Sequence, residues 1–177
     1  HNDDTIALVG VNTGEIGGSE YLKEHYNLIT GNCPQLNLEI ESRLQESCLQ
    51  AIRAGWIHSA HDISEGGLAV ALAECCFLNP KQNLGAEVRL DFPGRVDFGL
   101  FGEEPTRIVI SFATDNLAQV EEVFRSHDVP LTVIGKVTTD NRLQINNSID
   151  VAVEKLESIY RHAIRRKMEA SFGEAGT

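Results

Sequence analysis

His61-Asp62-Ile63-Ser64-Glu65-Gly66-Gly67-Leu68 decides the reading of this chain. It lies between an apolar run, Trp56-Ile57, and a segment with helical patterning, Leu68 to Cys76. A short strand, a polar turn ending in two glycines and then a helix is how α/β proteins turn backbone N–H groups toward an anion. In the helical segment Leu68, Ala71, Leu72, Cys75 and Cys76 stand at offsets of 3, 4, 7 and 8, which places them on one face. Asn79-Pro80 is expected to end that helix.

Upstream of this unit, Thr5 to Val11 reads as a buried strand running into a glycine-rich loop, Asn12 to Ser19. Ser19 is placed to cap a short helix reaching about Glu24. Leu38 to Ala54 is helical, with Ile40, Leu44, Cys48, Ala51 and Ile52 on one face. Ile57 to His61 is the second strand. Downstream, Gly85 to Leu90, Arg107 to Phe112, Leu131 to Val137 and Arg142 to Ile145 read as four more strands. Asp91 to Pro105, with Pro93, Gly94, Gly99 and Gly102, reads as loop with one helical turn near Leu100. Leu117 to His127, capped by Asp115 or Asn116, and Val153 to about Glu169 read as helices. The expectation is one α/β (α+β) domain over residues 1–170, with a mixed central sheet of about six strands flanked by helices. Residues 171–177 are expected to form a disordered tail.

Bulk properties narrow the function. At 177 residues the chain suits one core, and 42% of it is hydrophobic. A formal net charge of −11 argues against a nucleic-acid or anionic-membrane surface, both of which need clustered Lys and Arg. No apolar run approaches the 18 or so residues of a membrane span. Residue 1 is His and the sole Met is Met168, as expected of one domain within a longer polypeptide. Cys33, Cys48, Cys75 and Cys76 form no C-x-x-C pair, so no zinc site is expected and the thiols suit a reducing cytoplasm. The run Asn2-Asp3-Asp4 reads as a solvated terminus.

Three segments are candidates for binding. In the first, Gly66 and Gly67 would let backbone approach a ligand, and Ser64 could cap the helix while presenting its hydroxyl. Asp62 and Glu65 repel a bare phosphate and suit a metal-phosphate or a protein partner better. The same residues also serve a plain strand-to-helix turn. The second, Gly14 to Ser19 with Gly17, Gly18 and Ser19, could cradle phosphate or only pack tightly; without Lys-Ser/Thr after the glycines it is no Walker loop. In the third, Gly102 to Arg107, Glu103 could accept ribose hydroxyls. The alternative is a surface ion pair of Glu103 or Glu104 with Arg107, contributing roughly 0–1 kcal/mol. His58 and His61, three apart about a strand, are not expected to share a metal. No nucleophilic triad is recognisable, so no catalytic residue is assigned.

Taken in order, Gly17-Gly18-Ser19-Glu20-Tyr21, His61 to Glu74, and Leu100-Phe101-Gly102-Glu103 with Arg107 resemble the C-type domain of the aminoimidazole ribonucleotide synthetase superfamily. Val133-Ile134-Gly135-Lys136-Val137 follows in the same order, and the likeness covers residues 4–166. The variant with Leu-Phe-Gly-Glu is most similar to the second C-type domain of the phosphoribosylformylglycinamidine synthase family. The resemblance implies an ATP-dependent ligase of purine biosynthesis, in which ATP activates an amide oxygen and glutamine-derived ammonia displaces phosphate. It implies ATP and Mg bound mainly in N-type domains of the same polypeptide, a glutaminase partner, and no catalysis or cofactor in this domain alone. Here Glu104 and Pro105 replace the polar pair that helps bind the ribonucleotide in the family's first C-type domain. That departure implies a degenerate site, serving an auxiliary nucleotide or only an interface. A related ATP-dependent enzyme of the superfamily, aminoimidazole ribonucleotide synthetase among them, and a purely structural module are the alternatives. An apolar patch left by an absent partner would favour self-association of the isolated chain.

Overall fold

The computed structural model describes residues 1–78, 82–92 and 94–174, the side chains of 170–174 excepted. The elements run β1 (Thr5–Val9), α1 (Glu20–Tyr26), α2 (Leu38–Arg53), β2 (Ser59–Asp62), α3 (Gly67–Phe77), β3 (Gly85–Val88) and α4 (Val96–Phe101). They continue with β4 (Ile108–Phe112), a 3-10 turn (Thr114–Asn116), α5 (Leu117–Ser126), β5 (Leu131–Thr138), β6 (Arg142–Ile145), β7 (Ile149–Ala152) and α6 (Val153–Glu174).

All the strands join one sheet in the order β2-β4-β1-β5-β3-β6-β7. Every pairing is antiparallel except β3 with β6, so the sheet is mixed. The sheet has seven strands where the sequence reading placed six. The additional one, β7, is four residues long and opens directly into α6, so it offers little alternation for pattern reading. Its neighbour β6 holds it through a cross-strand contact, Arg142 Nε to Asp150 Oδ1 at 2.7 Å.

β1 explains the layers. All five of its residues are buried, because helices cover both faces of this central strand. Ile6 and Leu8 join a cluster with Leu68, Leu72, Leu100 and Val153 on the face of α3, α4 and α6. Ala7 and Val9 point the other way, into a cluster with Leu44, Ala51, Val120 and Phe124 beneath α2 and α5. Successive residues of a strand face opposite sides, so one continuous apolar run builds two cores.

Local signals hold in part. Ser19 caps α1, its Oγ accepting from Leu22 N at 3.4 Å. Asn116 does not cap α5 through its side chain; Nδ2 donates instead to the Trp56 carbonyl at 2.9 Å, tying α5 to the end of α2. The helical turn expected near Leu100 is the six-residue helix α4. The start is not fully solvated: Asp4 is buried and its Oδ2 meets His58 Nδ1 at 2.8 Å. α6 runs on to Glu174, past the end expected near Glu169. The expected stop at Asn79-Pro80, and residues 175–177 of the tail, lie outside the described residues. Among the described residues no helix is long and apolar enough to cross a membrane.

Candidate functional site

The three motif segments meet at the starts of α1 and α3 and the end of α4. Gly66 and Gly67 both take left-handed backbone, φ 82° and 67°, which side-chain-bearing residues rarely adopt. A Cβ on Gly67 would stand 2.6 Å from the Gly102 carbonyl oxygen and 2.8 Å from that of Leu100. The glycine therefore lets α3 begin hard against the closing turn of α4. Ser64 is not the cap of α3. The N-cap is Gly66, which has no side chain to offer, and Ser64 contributes only its carbonyl, which accepts from Gly67 N at 3.0 Å.

Glu103 supplies the missing cap from another segment. Its Oε1 accepts from Gly66 N at 2.8 Å and from Glu20 N at 2.9 Å. One carboxylate oxygen thus satisfies free N–H groups at the starts of two helices, at the positive ends of both dipoles. Glu103 reads in sequence as a hydroxyl acceptor for a ribose; in the fold this oxygen is already occupied by backbone.

Glu104 is buried and turned inward. Its Oε1 accepts from Thr13 N at 3.0 Å, Thr13 Oγ1 at 2.9 Å and Glu15 N at 2.9 Å. Its Oε2 lies 2.6 Å from Arg107 Nη2. The guanidinium is fully buried, and it donates from Nη2 to the Gly102 carbonyl at 2.7 Å and from Nε to the Glu104 carbonyl at 3.2 Å. The contact of Nη2 with Oε2 is a charge contact rather than a directed hydrogen bond, and neither Oε2 nor Nη1 has a hydrogen-bond partner among the described residues. Burial pulls the Arg107 pKa down, and the adjacent Glu104 carboxylate pushes it back up. The surface ion pair expected from sequence is therefore a buried one, and it pairs Arg107 with Glu104, not with Glu103. Glu104 consequently directs its charge into the loop of residues 13–15.

Gly17 packs closely against the 30–32 segment, while Gly18 faces open space. A Cβ on Gly17 would fall 2.1 Å from the Asn32 carbonyl oxygen, and Gly18 N donates to the Thr30 carbonyl at 2.9 Å. His61 sits in β2, an edge strand, with Nδ1 2.7 Å from the Asp62 carbonyl oxygen and Nε2 3.2 Å from Glu74 Oε2. Asp62 is exposed beside it. The fold thus gathers Ser19, Gly66, Gly67, Glu103, Glu104 and Arg107 around the junction, with Gly17 and Gly18 against the 30–32 segment, and leaves His61 and Asp62 along the sheet edge.

Other residues that build the junction were not among the candidate site residues. Asn12 Nδ2 donates to the Gly99 carbonyl at 2.8 Å, and Thr13 and Glu15 bind Glu104 through the backbone. Tyr21 stacks on Phe101 with ring centroids 4.7 Å apart, and its hydroxyl is 3.3 Å from Asp97 Oδ2. Burial, with Tyr26 and Asp97 nearby, pushes the Tyr21 phenol up to about 12. Tyr21 and Phe101 stand in the two motifs that carry the resemblance, and the fold brings those motifs into contact. No group of three or more His, Cys, Asp or Glu able to hold a metal occurs among the described residues.

Fold and junction together define a mixed α/β domain whose glycine-rich turns are locked by two adjacent carboxylates. The chain belongs to the family described as AIR synthase related protein, C-terminal domain, which matches residues 3–146. It is 41% identical over 181 residues to a phosphoribosylformylglycinamidine synthase subunit PurL from Anaeromyxobacter dehalogenans, covering 98% of this chain and 24% of that protein. It is 40% identical over 169 residues to the subunit of the same name from Caldanaerobacter subterraneus, covering 94% of this chain and 23% of the relative. The fold is shared with Thermotoga maritima PurL complexed with FGAR, at a TM-score of 0.71 and 22% identity, over 88% of this chain and 28% of that one. The chain spans about a quarter of the length of the curated relatives it matches.

Proposed function

We propose that this chain is the second C-type domain, over residues 1–170, of a phosphoribosylformylglycinamidine synthase. That ligase joins formylglycinamide ribonucleotide and glutamine-derived ammonia with cleavage of ATP, giving formylglycinamidine ribonucleotide, ADP and phosphate in purine biosynthesis. The observation that carries the reading is identity of 41% across 98% of the chain to a subunit of that name. ATP and Mg would bind mainly in N-type domains of the same polypeptide, a glutaminase partner would deliver ammonia, and the enzyme would work in the cytoplasm.

Within that enzyme the residues from Gly17 to Ser19, His61 to Gly67 and Glu103 to Arg107 serve an interface more than a ligand. The support is chemical. Glu103 Oε1 is spent on two helix starts, and Glu104 on Thr13, Glu15 and Arg107. An oxygen bonded to two helix starts and a buried carboxylate held against Arg107 have little left for a nucleotide.

The test is turnover by the full-length polypeptide with formylglycinamide ribonucleotide, ATP and ammonia. Formation of the amidine with ADP supports the assignment. Consumption of the amidine instead, with ring closure, would move the chain to the synthetase relative named among the alternatives. Calorimetry on residues 1–177 with ADP-Mg and with the ribonucleotide is expected to give no micromolar binding. Such binding would overturn the interface reading.

A further inference from the structure

We propose that residues 26–38, the strap between α1 and α2, form a preorganised docking surface for an apolar, uncharged face contributed by another domain of the same polypeptide. This rests on the function proposed above, and it names the surface involved.

The strap reads Tyr26-Asn27-Leu28-Ile29-Thr30-Gly31-Asn32-Cys33-Pro34-Gln35-Leu36-Asn37-Leu38, without one Asp, Glu, Lys or Arg. At the 23% charge frequency of the whole chain, about three would fall in a stretch of this length. Its apolar side chains nonetheless face outward: Ile29 is 85% exposed, Leu38 73% and Leu36 54%, with Tyr26 and Leu28 near half. Single exposed apolar residues are ordinary; a charge-free run of them marks a surface that is covered in the working protein.

The strap is held in place before anything covers it. At its start Asn27 closes α1 in left-handed backbone, its N donating to the Lys23 carbonyl at 3.0 Å. At its end Asn37 Oδ1 caps α2, accepting from Glu39 N at 3.0 Å and Ile40 N at 3.2 Å. Between these ends, Thr30 accepts from Gly18 N at 2.9 Å and Gln35 N donates to Glu15 Oε2 at 3.2 Å. Gly17 and Gly31 approach so closely that a Cβ on Gly31 would stand 2.6 Å from the Gly17 Cα. A segment fixed at both ends and in the middle loses little conformational entropy on docking. Its hydrogen bonds also tie it to the loop that Glu104 and Arg107 hold, so partner and junction are mechanically joined.

The occupant follows from charge and length. A second copy of this chain would bring another body of net charge −11, whose repulsion opposes a stable pair. The relatives are about four times as long as the stretch this chain matches, so most of their polypeptide lies outside it and is available in cis. An uncharged, rigid surface suits such a permanent contact.

The experiment compares hydrogen exchange of residues 1–177 alone with that of the full-length polypeptide. Amides between 28 and 36, which lie outside regular structure, are expected to exchange roughly tenfold or more slowly in the longer protein. The double variant Ile29→Lys with Leu36→Lys should abolish that protection in the longer protein while leaving the melting temperature of residues 1–177 unchanged. Equal exchange in both proteins, or protection that survives the double variant, overturns the proposal. So does a dimer of residues 1–177 at low micromolar concentration, seen by sedimentation, that protects the same amides. Protection in a polypeptide without amidine-forming activity would leave the docking surface standing and remove the proposed function. Activity without protection would do the reverse.

Discussion

Two connected regions of this molecule place their side chains in opposite ways. At the junction, two adjacent carboxylates and an arginine are drawn inward and spent on backbone and on one another. In the strap, a few residues away along the same hydrogen-bonded path, leucines and an isoleucine stand in solvent. Burying charge is costly unless partners are supplied, and the junction supplies them through glycine-rich turns that bring N–H groups close. Exposing apolar surface is costly too, and the strap has nothing within the domain to remove it from water. The polar region thus finds most of its partners inside the domain, Glu104 Oε2 and Arg107 Nη1 excepted, and the apolar region stays in solvent.

Substitutions should separate the two regions by size of effect. The largest is expected for Arg107→Leu in residues 1–177, which leaves Glu104 buried without its counter-charge and should cost about 3–5 kcal/mol. Urea denaturation measures it, and a loss under 1 kcal/mol would mean that the pair relaxes to water. Gly67→Ala should follow, at about 2 kcal/mol or more, because a left-handed residue would also meet the Gly102 carbonyl. Gly18→Ala is the control: its φ is also positive, at 71°, but its Cβ would enter open space, so only about 1 kcal/mol is expected. Similar losses at both glycines would refute the close-approach argument.

Glu103→Gln keeps an acceptor for the two helix starts but removes the charge that favours them, so roughly 0.5–1 kcal/mol should be lost, and more for Glu103→Ala. Ile29→Ser is at the other extreme, within about 0.5 kcal/mol in the isolated domain, since a solvent-facing side chain has no contacts to lose. A melting shift as large as that of Glu103→Gln would mean that the strap is already packed.

The sulfur chemistry gives an alkaline test away from both regions. Burial pushes the Cys75 thiol up to about 11 and that of Cys76 up to about 12, from an ordinary value of 9.0. The unfolded chain therefore loses these protons first as pH rises. The stabilisation is full below pH 9 and is lost between 9 and 12. Melting temperatures should decline across that window, and less steeply in a Cys75→Ala/Cys76→Ala variant. Equal slopes would show that the thiols do not govern the decline.

Much of the architecture was legible because its signals are local. TIALV at the start, IVISF in β4 and the 3, 4, 7, 8 spacing in α3 each state a period, and those elements sit within a few residues of their expected ends. β7 escaped because its four residues open directly into α6, and α4, expected as one turn near Leu100, runs for six residues. The membership of the site was legible through its motifs, but its wiring was not. Glu103 and Gly66 are 37 residues apart and Thr13 and Glu104 are 91 apart, and no spacing rule links such distances. The expected cap at Ser64 failed for the same reason. A serine before a helix is a good cap in isolation, but here two left-handed glycines begin the helix later and Glu103 takes the role.

Element types, the two-sided burial of β1 and family membership follow from the order of residues alone, because side-chain periodicity and turn chemistry act over short stretches of chain. Which carboxylate caps and which one pairs, that Arg107 lies in the interior, and that the strap keeps its apolar side chains outside were decided only when the sheet brought distant loops together. Partnering, desolvation and exposure are properties of neighbours in space, and those neighbours exist only in the fold.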